Sequence, residues 1–113
     1  MARTLYHVTN HRNAASILAH GLRTTGEYAD SGGWCAGYVW AFDSLAIAIE
    51  ARDAGRWGLG GAVIIEFDAE GLDVVPDPHP GWGSMHPGWD AHAVAIAGSG
   101  VLVPPEDLSM SMV

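Results

Sequence analysis

The stretch LYHVTNHRNAASILAHGL, residues 5–22, constrains the fold more than any other part of the chain. Thr4 to Thr9 alternate with period two, Leu5 and His7 on one face and Tyr6 and Val8 on the other, which predicts a strand. Asn10 is placed as the N-cap of a helix. Ala14, Ile17, Leu18 and Leu22 then recur at helical spacing as one apolar stripe. Gly21 stops the helix, because a left-handed residue costs glycine little. A strand therefore feeds a helix through a very short turn, and it carries a histidine in its apolar interior.

The rest of the chain extends this pattern. Residues 24–37 are rich in glycine, serine and charge and read as a surface loop. GYVWAF is a short aromatic strand, with Asp43 or Ser44 as the cap of a second helix. Leu45 to Asp53 could alternate as a strand. A helix is the better fit, since Leu45, Ala48, Ile49 and Arg52 share one helical face and alanines are frequent. After a GRWGLGG turn, AVIIEF (Ala62 to Phe67) predicts a strand buried on both faces. Asp73 to Asp90 read as one long loop holding Trp82 and Trp89, and a loop this long in a compact domain is functional or disordered. The tryptophans argue for packing anchors, with a flat-ring ligand as the alternative. HAVAIA and VLVP predict two late strands around a glycine turn, and the tail PPEDLSMSMV short structure or fraying. The expectation is one α+β domain over residues 1–113, strand-rich, with two helices in the N-terminal half.

Composition excludes several classes. Half of the 113 residues are apolar and 16% are charged, which is a globular balance. No apolar run approaches the roughly 18 residues that span a bilayer, and MARTLYHVTN turns polar too early for a signal peptide. The single cysteine, Cys35, forms no internal disulfide, which fits a reducing, cytoplasmic setting. A net charge of −8 with five Lys and Arg opposes nucleic-acid binding and favours a small-molecule, cationic or protein partner. Walker, GxGxxG, GxSxG and CxxC motifs are absent.

Three groups could carry chemistry. His7, between Tyr6 and Val8, is either a sheet histidine held by a hydrogen bond or a cleft residue able to bind ribose hydroxyls or catalyse. Asp77, His79, His86, Asp90 and His92 surround the tryptophan-rich loop. Their spacings match no compact metal motif, so a zinc or iron site is the weaker reading and no metal is expected. Cys35 reads as a free structural cysteine.

The order of elements adds a resemblance. LYHVTNHRNAASILAHGL resembles the first motif of the ADP-ribosyltransferase superfamily, a strand reading roughly Tyr-His-Gly/Val-Thr and a helix ending Ile-Leu-x-x-Gly-Leu. GYVWAFDSLAIAIEARDA resembles the second motif, an aromatic strand, a serine and an alanine-rich helix. AVIIEFDAEGLDVVPDP is similar to the central strand and loop of the rifamycin-modifying branch, and DAHAVAIAGSGVLVPPEDL to the late strand pair. The opening is also similar to that of DNA-modifying members and, less closely, of RNA 2′-phosphotransferases. The resemblance implies a compact fold of split, antiparallel-rich sheets that takes NAD as substrate. It implies that His7 binds the adenosine-side ribose, the Val8 backbone the nicotinamide carboxamide, and that Thr9 supports the turn. Tyr38 or Trp40 would stack on nicotinamide and Ser44 would steady the site.

The resemblance also asks for a carboxylate beside the ribose whose C1′ turns oxocarbenium-like. His92 stands where that acid aligns, with Asp90 two residues earlier. Asp77 is the counterpart in the rifamycin-modifying branch, and Glu66 is a further choice. Period two would put Asp90 and His92 on one face if the strand extends that far. Two readings stay open: a mono-ADP-ribosyltransferase acting on a small molecule or protein, as a toxin or resistance factor, and a catalytically inactive module of the same fold that binds NAD, an ADP-ribose-like ligand or a protein.

Overall fold

A computed structural model describes residues 3–23, 38–54, 61–76, 88–98 and 100–111. Strand β1 (Thr4–Asn10) runs directly into helix α1 (His11–His20). Asn10 is extended, and its side-chain oxygen accepts the Asn13 N–H at 2.8 Å, satisfying one of the orphan donors of the first turn. At the other end Gly21, at φ 93, donates its N–H to the Ile17 carbonyl and turns the chain out of the helix. A Cβ at Gly21 would lie 2.7 Å from the Val103 carbonyl oxygen, so space as well as φ demands glycine. Leu22, expected to close the helical stripe, instead opens β2 (Leu22–Arg23) and is buried there.

Strand β3 (Tyr38–Phe42) is followed by helix α2 (Leu45–Asp53). Ser44 rather than Asp43 caps α2, its hydroxyl accepting the Ile47 N–H at 3.3 Å. The buried face of α2 is set by Ala48 and Ala51, flanked by Leu45, Ile47 and Ile49, so the helical alternative holds and the strand alternative for this segment does not. Strand β4 (Ala62–Asp68) comes next, then β5 (Asp73–Pro76), β6 (Ala93–Ala97), β7 (Val101–Val103) and β8 (Leu108–Met110). Six strands form one sheet in the order β5-β6-β3-β1-β4-β8, with every registered pair antiparallel, and β2 and β7 form a separate two-stranded ribbon.

Three expectations change. Asp73 to Asp90 is not one loop: Asp73 to Pro76 form the edge strand β5, with Val74 opposite Ile96 and Val75 opposite Ala95. Pro76 ends that strand at the sheet edge, where its missing N–H costs least. Asp90 to His92 form a 3₁₀ turn closed by His92 N–H to the Trp89 carbonyl at 2.9 Å, so the strand starts at Ala93 and the shared period-two face of Asp90 and His92 is lost. The two late strands do not pair with each other, since β6 lies between β3 and β5 while β7 joins β2. For the tail the short-structure alternative holds, as a 3₁₀ turn at Pro105–Asp107 and strand β8, which pairs with β4. The expected loop over 24–37 with Cys35, most of the GRWGLGG turn, and residues 77–87 with Trp82 lie outside the described residues.

Both faces of the sheet are covered, which explains the unbroken apolar run of β4. Val63, Ile65 and Phe67 join Leu5, Val39, Ala41 and Ile96 in a core under α1 and the β2–β7 ribbon. Ile64 joins Val8, Phe42 and Ala93 in a second core under α2. Trp89 is buried in this second core at 3% exposure, edge-on to Phe42 at 6.0 Å, and its Nε1–H donates to Glu50 on α2 at 3.1 Å. That is the packing role expected of it. The chain is thus α+β with two helices and an antiparallel sheet. No helix among the described residues is long and apolar enough to cross a membrane.

Candidate functional site

Strand β1 lies between β4 and β3 but is held unequally by them. Against β4 it registers along its full length, from Thr4↔Asp68 to Asn10↔Ala62. Against β3 only Tyr6↔Phe42 registers among the described residues. Strand β3 itself registers throughout with β6, from Tyr38↔Ala97 to Phe42↔Ala93. Beyond Tyr6, toward Thr9 and Tyr38, no further β1–β3 pair registers among the described residues, although Val8, Thr9, Val39 and Ala41 along that stretch are buried. Backbone polar groups where a ladder stops need partners other than a strand.

His7 stands where the registered β1–β3 pairing ends. Its Nδ1–H donates to the Trp40 carbonyl at 2.6 Å. A carbonyl can only accept, so Nδ1 carries the proton and, in the neutral ring, Nε2 keeps a lone pair. Burial holds the pKa of His7 below its ordinary value of 6.5, outweighing the Trp40 bond, which acts to raise it. The ring is half-buried rather than sealed. Near neutral pH it is an uncharged acceptor, suited to a hydroxyl donor and unsuited to an anion.

The second polar feature lies where β3 ends and β6 begins. His92 Nδ1–H donates to the Asp43 carboxylate at 2.8 Å, and the Asp43 N–H donates to the His92 carbonyl at 3.0 Å. Two bonds between the same two residues fix the ring. Both side chains remain partly exposed, at 43% for His92 and 36% for Asp43. The turn carrying His92 is anchored by buried Trp89. Local sequence carries no sign of this pair, because its members are 49 positions apart and meet only through the β3–β6 ladder. In sequence Asp43 reads only as a possible helix cap, and Ser44 takes that role.

The other expected site residues are spread over both faces of the sheet. Val8 is buried in the second core and Thr9 is the one buried polar residue among those described. Tyr38 and Trp40 are half-buried on β3, opposite Ala97 and Ala95. Strand alternation sets both on the Phe42 face, whereas His7 shares the face of Leu5 and Ile65. His7 thus meets Trp40 through its backbone. Ser44 is engaged as the α2 cap. Glu66 is half-buried opposite Tyr6, on the face away from His7. Asp90 opens the 3₁₀ turn. Asp77, His79 and His86 lie outside the described residues, and with them two of the three histidines of the metal reading. No known family model matches the chain, and no curated protein matches it.

Proposed function

We propose that the chain is an NAD-consuming mono-ADP-ribosyltransferase of compact, split-sheet type, acting in the cytoplasm on a small molecule or protein as a toxin or resistance factor. The observation that carries the reading is His7: a neutral histidine where the registered β1–β3 pairing ends, with Nδ1 committed to the Trp40 carbonyl and Nε2 able to accept. A ribose hydroxyl is the donor such a nitrogen suits. A phosphate, which needs donors or positive charge, is not. In this reading the β1 backbone beyond Tyr6 holds the nicotinamide carboxamide, and Tyr38 or Trp40 supplies a flat surface from the sheet face opposite His7. Nicotinamide departs with the electron pair of its bond to C1′, and the cationic ribose is captured by the acceptor. Asp77, Asp90 and His92 are the groups proposed to stabilise or serve that step.

A second reading keeps the cleft without the reaction. It is favoured by the placement of Glu66, the acid on the central strand, across the sheet from His7. The chain would then bind NAD or an ADP-ribose-like ligand without cleaving it.

Ligand-observed NMR with NAD, tracking saturation transfer and free nicotinamide over hours, separates the two. Transferase function predicts binding and nicotinamide release, both reduced at least tenfold in His7→Ala and His7→Gln variants that keep the native circular dichroism spectrum. Binding without release supports the second reading. Absence of binding by the wild-type chain overturns both.

A further inference from the structure

We infer that Asp43 and His92 form a general-base dyad, in which His92 Nε2 takes the proton of the incoming nucleophile and Asp43 positions the ring. The inference rests on the transferase reading and assigns a task to a pair that meets only in the folded chain. An ionised carboxylate can only accept, so the 2.8 Å bond places a proton on His92 Nδ1, and in the neutral ring Nε2 keeps its lone pair. The reciprocal backbone bond from Asp43 to His92 and the buried Trp89 beneath the turn limit ring movement. A base whose far nitrogen is held by a carboxylate is the arrangement that activates hydroxyl nucleophiles. Partial exposure leaves the ring open to a substrate.

The location suits the task. Tyr6, Phe42 and Ala93 lie in one row across β1, β3 and β6. His7 is one residue to one side of that row and His92 one residue to the other. With strands about 4.8 Å apart and about 3.3 Å per residue, the two backbones are on the order of 12 Å apart. NAD carries two riboses joined by a pyrophosphate, so a molecule whose one ribose meets His7 is long enough to bring the other toward the dyad. In the step itself, the oxygen of water or of an acceptor hydroxyl bonds to C1′. The C1′–nitrogen pair leaves with nicotinamide, and the proton passes to His92 Nε2 and then to solvent. Asp43 touches neither substrate and is a positioning residue.

The test uses the full chain with NAD and water as the nucleophile. Wild type, His92→Gly and Asp43→Asn are compared by nicotinamide release, by NAD affinity from NMR titration, and by ring ¹⁵N shifts of His92. The dyad predicts a kcat loss of about 10²- to 10⁴-fold in His92→Gly, with affinity changed less than threefold and partial rescue by added imidazole. Asp43→Asn, nearly isosteric, should lower kcat at least tenfold and move the His92 proton away from Nδ1, a change that a merely structural contact would not couple to turnover. Unchanged kcat in folded His92→Gly, or a loss that imidazole leaves untouched, overturns the dyad while the transferase reading stands. A wild-type chain that releases no nicotinamide overturns both, and one that also fails to bind NAD removes the His7 reading as well.

Discussion

Two histidines in this chain make the same bond to different effect. His7 and His92 each donate Nδ1–H to an oxygen, at 2.6 and 2.8 Å. For His7 the acceptor is a backbone carbonyl of the neighbouring strand, and there burial outweighs the bond and the ring is held neutral. For His92 the acceptor is a carboxylate at the exposed junction of β3 and β6. The first arrangement makes a fixed neutral acceptor that belongs to the architecture. The second fixes the ring of a partly exposed histidine, with little structural weight. A hydrogen bond to a histidine thus acquires its meaning from the acceptor and from the water around it.

The comparison can be broken first where its second half is anchored. Trp89→Ala removes the buried indole under the His92 turn, and chemical denaturation should show a loss of about 3–5 kcal/mol. Trp89→Phe, which keeps the ring but not the bond to Glu50, should lose about 1 kcal/mol. His7→Ala comes next, at about 2–4 kcal/mol, since it leaves a hole between Leu5 and Thr9 and deprives the Trp40 carbonyl of its donor. His92→Ala and Asp43→Ala should each lie within about 1 kcal/mol of wild type, as expected of a partly exposed pair. Equal losses at His7 and His92 would erase the distinction.

Titration sharpens the same contrast. The folded pKa of His7 lies below 6.5, so between the two values the unfolded chain binds a proton that the folded chain refuses. Its contribution is complete above about pH 6.5 and is lost as pH falls through that value toward the folded pKa. Difference curves of stability against pH between wild type and His7→Gln should therefore slope upward with pH in that window. A flat difference would mean that the ring is as well hydrated in the folded chain as in the unfolded one.

Legibility in the sequence divides along the same line. β1, the Asn10 cap, Gly21, α2 and the doubly buried β4 are legible because each rests on local spacing, capping or a close backbone approach. Pro76 and its neighbours look like loop because an edge strand of four residues carries almost no periodicity. Period two joins Asp90 and His92 across a 3₁₀ turn that only tertiary packing of Trp89 explains. For the site, His7 is visible as a histidine out of place in an apolar strand. Its partner is not, because a backbone carbonyl has no sequence signature. Asp43 is hidden for a related reason: its role depends on strand order β6-β3-β1, which places late residues beside early ones.

The central claim is that His7 Nε2 accepts a ribose hydroxyl of NAD, and histidine-selective ¹⁵N NMR of the wild-type chain under NAD titration measures that nitrogen directly. The expected His7 spectrum is that of a neutral Nδ1–H ring at pH 7, with an Nε2 resonance that shifts saturably with NAD. A His7 Nε2 resonance unmoved by saturating NAD, or a ring protonated at both nitrogens at pH 7, would contradict it.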